Sequence, residues 1–559
     1  MINPQFRVLF RVFLLRVVDL EILAAEGDPV KLLGQFAALF AAISLLFSLP
    51  LIVMGQSDPE FSRETAHFLI ATTMLVVGLL SVLNWDAAVP DRIDAFVLSP
   101  LPVTLRTIFL AKLSAFTSLL GLAVLALNVF SGLLWPLYFA ASASPVALIR
   151  SFAAYWITIL IASCFMFFFV LTLRELATQL LPYQLFLRVS AWIQMTAICL
   201  FLGTYILEPS LESPQALATP ANHKLLEYLP SYWFWGLFQQ LNGTSGPMPA
   251  VYVWLGGRAW IALAIAAVGA AAMWTLCYRR SLRKIIEEPS IVSGPPWFRV
   301  PPLPCDSPVI GITLFCFYTL MRSRFHRVIL SFYLGAGLAL VLVYIHVLSL
   351  LNPISPVNTA TVSTTYLGAS ILMMSLVIAG VRILVGIHIT LQANWTFRTA
   401  AIRAPIAYLR ATRTALLLLT VLPVWLGSGT VFSMLWPWRL ALAHQVVLLF
   451  LGMILIEFSL YRLHKIPFTC SYMPGKGNLQ FVFWAFALIL LPLINTAARF
   501  EFALLDRPIA LCLAVTFLAI ILVCARTFNH VTTKDIKEIR FDEVLEPEIV
   551  GLHLDRSQS

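Results

Sequence analysis

Two groups of residues in this sequence have the types and spacing to do chemical or mechanical work. The first is the stretch Asp86-Ala-Ala-Val-Pro90-Asp91-Arg92-Ile93-Asp94-Ala95-Phe96-Val97-Leu98-Ser99-Pro100-Leu101-Pro102, followed by Arg106 and Ala111-Lys112. Its charged start and the apolar stripe Ile93, Val97 and Leu98 predict a short amphipathic helix that Ser99-Pro100 brings to a stop. A rigid helix of this kind is what a docking element for a soluble partner requires, and a solvated turn is the plainer alternative. The second group is Arg382, Glu457 and His346, each embedded in an apolar run. Ionisable groups inside a membrane are costly and face a bundle interior or water. Arg382 and Glu457 are candidates to pair, as part of a substrate pathway or as a structural ion pair. His346 reads as a packing residue or a third member of such a pathway.

Catalytic signatures are missing from the sequence. HExxH, GxSxG and GxGxxG do not occur in a suitable context. The nearest P-loop lookalike, Gly475-Lys476, has Cys470 where the first glycine belongs and Gly477 where Ser or Thr belongs. The eight cysteines are scattered, with no CxxC and no His/Cys cluster, so neither a disulfide framework nor a zinc site is expected. No catalytic residue, metal or cofactor is therefore assigned, and any ATP hydrolysis has to come from a separate chain.

The elements that must carry these residues follow from composition. Of 559 residues, 60% are hydrophobic and only 11% charged, against about 45–50% and 25% in soluble domains. There are too few charges to coat soluble domains and too much apolar surface for disorder. A polytopic all-α membrane protein is the reading that remains. A window of about 20 apolar residues predicts twelve spans: Leu33–Met54, Ala66–Trp85, Ile108–Leu134, Phe152–Leu173, Val189–Leu207, Val251–Cys277, Val328–Leu351, Tyr366–Ile389, Ala415–Leu435, Leu440–Tyr461, Leu479–Ala497 and Ile509–Ala525.

With the N-terminus placed in the cytoplasm, 29 of the 37 Lys and Arg residues fall on the cytoplasmic side, seven on the other, and Arg382 within a span. That asymmetry obeys the positive-inside rule and predicts N-in, C-in. It also accounts for the formal charge of +10 without any nucleic-acid partner. The first twenty residues are basic and amphipathic but lack an h-region and a small-residue cleavage site, so no cleavable signal peptide is expected. The protein is expected in the plasma membrane, a bacterial inner membrane being the natural case.

Polar landmarks recur in one order in both halves. Gly78 precedes Asn84-Trp85, and Gly380 precedes Asn394-Trp395. Leu134-Trp135-Pro136 is matched by Leu435-Trp436-Pro437, and Leu181-Pro182 by Met473-Pro474. Six spans per half is an even number, which predicts a parallel repeat. Each half opens with an amphipathic helix suited to the interface plane. In the first, Phe6, Leu9, Phe10, Phe13, Leu14, Val17 and Leu20 share one face; in the second, Val309, Ile310, Thr313, Leu314, Phe317 and Leu320 do so less cleanly. The expected organisation is an interfacial helix in 1–32, a six-span half in 33–277, a stiff Pro-rich linker in 278–308, an interfacial helix with a second six-span half in 309–525, and a cytoplasmic tail in 526–559. The outer aromatics Tyr228, Tyr232, Trp233 and Trp235 read as an interfacial belt, and Asn242-Gly243-Thr244 is a glycosylation sequon.

The segment DRIDAFVLSPLPVTLRTIFLAK resembles the loop between the second and third spans of type-2 ABC exporter membrane subunits, and the chain as a whole resembles two such subunits fused. The resemblance implies a cytoplasmic interfacial helix before the first span, a coupling helix between spans two and three, and a re-entrant element between spans five and six. On that pattern Asp91, Arg92, Asp94, Leu98, Pro100, Leu101 and Pro102 face a cytoplasmic ABC ATPase subunit, and Leu225–Leu241 within the connector 207–250 takes the re-entrant place. The second half departs from the pattern. Its loop carries Arg398, Arg403, Arg410 and Arg413 and lacks the acidic residues and the Pro-Leu-Pro, and Arg499–Pro508 is too short for a re-entrant hairpin.

The expected function is thus an ABC exporter permease subunit, lacking its own ATPase, that moves an amphipathic or lipid-like substrate. Two alternatives stand beside it. One is a twelve-span secondary transporter relying on Arg382 or Glu457. The other is a polytopic enzyme on lipid-linked substrates, for which Asp86, Asp91 and Asp94 are the available acids.

Overall fold

The computed structural model describes residues 4–18, 29–54, 59–85, 102–140, 144–209, 211–243, 249–287, 308–351, 363–385, 405–461, 468, 479–505 and 507–534. Every regular element among them is helical. In chain order these are α1 (Pro4–Val18), α2 (Pro29–Met54), α3 (Pro59–Leu83), α4 (Leu105–Asn128), α5 (Ser131–Phe139), α6 (Pro145–Leu180), α7 (Tyr183–Leu207), α8 (Pro214–Ala218), α9 (Pro220–Tyr228), α10 (Pro230–Asn242) and α11 (Pro249–Glu287). They continue with α12 (Pro308–Arg322), α13 (Arg324–Leu351), α14 (Thr364–Val385), α15 (Pro405–Leu416), a π-helical turn (Leu417–Val421), α16 (Leu422–Leu435), α17 (Trp438–Ser459), α18 (Leu479–Leu505) and α19 (Pro508–Lys534). Ten of these stretches among the described residues are long and apolar enough to cross a membrane, counting α15 to α16 as one. The protein is therefore a multi-pass α-helical membrane protein. The expected first span falls on α2, where the apolar stretch Leu33–Leu49 is shorter, and the expected eleventh falls on α18.

The chain divides into two compact units, residues 1–295 with 338–346, and residues 296–337 with 347–559. In the first, α3 packs on α6, and α11 packs on α6 and α10. Their shared core contains Trp135, Tyr155, Tyr232, Phe234, Trp235, Phe238 and Leu255, all nearly inaccessible. In the second unit, α14 packs on α17 and α18, and α17 on α19.

Several helices depart from the expected spans for identifiable reasons. The third span, expected as Ile108–Leu134, is broken after Asn128. The Asn128 side chain folds back on the Val124 carbonyl (2.9 Å) and accepts from the Tyr155 hydroxyl (2.7 Å). Ser44 of α2 then caps the new helix α5 by accepting from the backbone N–H of Phe130 (3.1 Å) and Ser131 (3.0 Å). Conversely, α11 runs past the expected end at Cys277 through Arg279, Arg280, Arg283 and Lys284 to Glu287, because arginine and lysine are good helix formers once outside the apolar layer. The π-helical turn lies just before Pro423. A proline has no N–H to donate to the preceding turn, and π-helix occurs mostly as single-turn bulges of this kind inside α-helices.

The connector after α7 folds into α8, α9 and α10. Helix α10 is wedged among α3, α6 and α11, so close to α11 that a Cβ on Gly236 would lie 2.4 Å from Leu255 Cβ. This corrects the reading of Tyr232 and Trp235 as belt residues, since both are core residues, while Trp233 is half-buried and Tyr228, at the end of α9, is exposed. Burial is possible because each polar tip finds a partner. The Trp235 indole N–H donates to the Arg63 carbonyl (3.1 Å), and the Tyr232 hydroxyl donates to the Pro209 carbonyl (2.7 Å). Asn242 of the sequon is also buried, its amide donating to the Phe139 carbonyl (2.7 Å).

Gly236→Ala should destabilise the protein by about 1–3 kcal/mol through overpacking, read as a lowered thermal unfolding midpoint in detergent. Gly257→Ala on α11 has open space around its Cβ and should leave the midpoint unchanged or raised. Equal effects of the two would contradict the close approach of α10 and α11.

Candidate functional site

The residues expected to dock a partner are reached through α1 and α4. Thr104 caps α4, its hydroxyl oxygen accepting from the Thr107 N–H (3.3 Å). Helix α1 lies against α4 with Phe13 buried between Ile108, Ala111 and Ala115. The Lys112 ammonium stands over the Phe13 ring at 5.5 Å, and the Gln5 amide donates to the Pro102 carbonyl (3.3 Å). Pro102 is thus fixed to α1, whereas Asp91, Arg92, Asp94, Leu98, Pro100 and Leu101 lie outside the described residues. In the second unit α12 packs on α15, and the Thr313 hydroxyl donates to the Ala411 carbonyl (3.4 Å). Of the arginines expected in that loop, Arg398 and Arg403 lie outside the described residues, Arg410 is exposed on α15, and Arg413 faces the protein.

Arg413 faces inward because Glu457 holds it. The Glu457 carboxylate, 1% exposed, takes a two-pronged contact from Arg413, Nε to Oε1 at 2.5 Å and Nη2 to Oε2 at 2.9 Å. Asn529 of α19 donates to the same carboxylate (2.9 Å) and to the Glu457 carbonyl (2.8 Å). Arg526 approaches from the same helix with Nε 3.4 Å from Oε1. Arg382, expected as the partner of Glu457, donates instead to the Ser459 carbonyl, two residues further on (2.7 Å). The His346 side chain lies outside the described residues. Both Glu457 oxygens are therefore occupied, which suits a brace between α15, α17 and α19 better than a site that must exchange an ion.

Two buried imidazole–carboxylate clusters have no counterpart among the sequence-based candidates. In the first unit His67 of α3 meets Glu212, Nδ1 to Oε1 at 2.6 Å, with Glu208 Oε1 3.6 Å from Nε2. The Tyr232 ring stacks on the imidazole at 4.0 Å, and its hydroxyl lies 3.0 Å from Glu212 Oε1 while accepting from the Leu211 N–H (2.9 Å). Ser231 donates to Glu208. Burial alone would push the Glu212 carboxyl up, but the hydrogen bond and charge of His67 hold it below the usual carboxylate range. The one sequence signal is the pair Glu208 and Glu212, four apart where an apolar run ends.

In the second unit Ser370 Oγ lies 2.8 Å from His444 Nε2, and His444 Nδ1 lies 2.7 Å from Glu501 Oε1. The order hydroxyl–imidazole–carboxylate is that of a nucleophilic triad. A nucleophile also needs access and donors for an oxyanion. Here the Ser370 hydroxyl is within donating distance of the Leu367 carbonyl (2.7 Å). The first N–H groups of α14 already bond Ser363, and Phe432 and Trp436 pack edge-on against the imidazole. The cluster fastens α14, α17 and α18 together. Among the described residues no group of three His, Cys, Asp or Glu side chains is arranged to hold a metal ion. Comparison with protein-family models, curated proteins and solved structures finds no match to this chain.

Glu457→Ala strands the Arg413 guanidinium and should cost about 3–5 kcal/mol. Glu227→Ala breaks the half-exposed Arg258–Glu227 pair (2.9 Å) and should cost at most about 1 kcal/mol; both are read from thermal unfolding in detergent. The depressed Glu212 carboxyl contributes stability that is complete above the ordinary carboxylate range and is lost as pH falls through its lower folded-state value. Acidification should therefore expose the segment 208–243 to protease, and Glu212→Gln should show that exposure already at neutral pH. A wild-type cleavage rate independent of pH would contradict the ion pair.

Proposed function

We propose that the chain is the membrane-spanning permease subunit of an ATP-binding-cassette exporter, powered by a separate cytoplasmic ATPase subunit and moving an amphipathic or lipid-like substrate. Twelve spans in two parallel sets of six, with both termini in the cytoplasm, are part of this reading. The observation that carries it is the seating of α1. A short amphipathic helix lies along α4 and is tied to Pro102, where the expected docking loop ends. Force applied to that loop by a soluble partner would pass into α4 and α1 together.

The second unit supports the same reading, since α12 lies on α15 as α1 lies on α4. The fourth span of each set is also packed by the second and the last: α6 by α3 and α11, and α17 by α14 and α19. Gly78 and Gly380, matched landmarks of the duplication, both sit at close approaches. An added Cβ would lie 2.7 Å from Met166 at the first and 3.0 Å from Tyr333 at the second. The two docking sides differ: the first offers acids and prolines, while the second has committed Arg413 to Glu457 and retains Arg410 at the surface. A secondary transporter relying on Glu457 fits less well, because that carboxylate is fully engaged.

The docking loop is the place to test the assignment. Leu101→Asp, and Pro100→Ala with it, should lower the amount of ATPase subunit retained on affinity-purified chain by about tenfold, the effect of losing roughly 1.4 kcal/mol of interface. The thermal midpoint of the chain itself should not move. Retention equal to wild type would contradict docking through this loop.

A further inference from the structure

The geometry points to a binding site for the phosphate of an anionic phospholipid where α15, α17 and α19 meet at one end of the second unit. Three apolar spans end there. Glu457 is in the last turn of the Trp438–Ser459 span, Arg413 in the first two turns of Leu409–Leu435, and Arg526 near the end of Pro508–Thr532. These residues therefore sit where hydrocarbon gives way to headgroups.

The described charges at this place are strongly biased. Arg410, Arg413 and Arg526 are set against the single carboxylate of Glu457, with Arg382 bonded to the Ser459 carbonyl beside it. Arg413 commits its planar edge to Glu457, but Arg526 does not. Its side chain is 50% exposed and reaches the carboxylate only through Nε at 3.4 Å, which leaves both terminal amino groups for another acceptor. Arg410, one helical turn before Arg413, is exposed on α15, the helix that packs against α19. A guanidinium with two free N–H groups on one edge matches a phosphate in a bidentate way.

The surroundings select a phosphate that carries acyl chains over a free anion. Phe458, Tyr461 and Phe528 are all exposed beside the arginines. The Tyr461 and Phe528 rings lie 6.0 Å apart, and deeper along the same spans Leu418, Ile520 and Val523 are exposed, giving an apolar wall below the charges. The site is independent of what the protein transports: it requires only that these helices cross a bilayer.

The test uses the full chain in nanodiscs of phosphatidylcholine alone or with phosphatidylglycerol, read by thermal unfolding and by native mass spectrometry of retained lipid. Phosphatidylglycerol should raise the unfolding midpoint, and Arg410→Gln with Arg526→Gln should lower its retention about tenfold or more. The midpoint in phosphatidylcholine should stay unchanged, since the Arg413–Glu457 pair is intact. Three results would overturn the proposal. The double variant could keep the wild-type gain, or Arg258→Gln in the first unit could abolish it equally, marking a general charge effect. Alternatively, millimolar inorganic phosphate in phosphatidylcholine discs could reproduce the gain, marking a small-anion site.

Discussion

In a bundle of apolar helices with few charges, any ionisable side chain that leaves water has to be neutralised by another side chain of the same bundle. The contact of Arg413 with Glu457 is where this protein meets that constraint most fully. It takes a carboxylate that is 1% exposed and gives it a two-pronged cation, with Asn529 supplying a further donor. The consequence is mechanical. Helices α15, α17 and α19 are joined at one end, so that α15, on which α12 lies, cannot move without the other two. His67 with Glu212 and His444 with Glu501 apply the same constraint elsewhere, the one fastening the connector after α7 to α3, the other fastening α14, α17 and α18. A buried pair of this kind adds little net stability over an apolar replacement but strongly penalises losing one partner. Its value lies in fixing which helices belong together.

That arrangement bears on how a permease of this kind would work. A soluble motor can only push on what projects from the membrane, and the push is useful only if the projecting parts are rigidly continued inside. Helix α1 on α4 and α12 on α15 supply that continuity. In the second unit the Arg413–Glu457 pair carries it onward to α17 and α19. The first unit holds its α4 by packing, with Phe13 against Ile108, Ala111 and Ala115, and breaks that helix at Asn128, where Ser44 caps the next segment. In the second unit the long helix from α15 to α16 is interrupted by the π-helical turn before Pro423. The two units therefore place their helix interruptions at different positions along these helices, an asymmetry that parallels the different chemistry of the two loops proposed to dock a partner.

Hydropathy makes the spans legible because burial in lipid acts on every residue of a helix at once, and a run of twenty apolar residues is rarely stable outside a bilayer. The amphipathic helices α1 and α12 are legible for a similar reason, as their apolar faces repeat with the helical period. Partner identity is not legible. Arg413 lies 44 residues from Glu457, and His67 lies 145 from Glu212, so no local pattern records either pair. Arg413 falls among the docking arginines on sequence alone because a loop arginine and a helix arginine read alike in a basic segment. The aromatics of α10 suggest a belt because tyrosine and tryptophan suit an interface and a core equally well. Only the presence of carbonyl partners at Arg63 and Pro209 decides for the core. The Gly78 and Gly380 landmarks carry more information than their type alone suggests, since both mark close approaches, to the Met166 methyl and to Tyr333 Cβ.

In the proposed permease a soluble ATPase acts through the α1–α4 junction. The most direct measurement is ATP hydrolysis by complexes isolated through an affinity tag on this chain and reconstituted in lipid vesicles. The predicted result is vanadate-sensitive hydrolysis that follows the chain through purification and rises when an amphipathic substrate is supplied. Purified chain that carries no ATPase activity, yet moves substrate when given only an ion gradient, would contradict it.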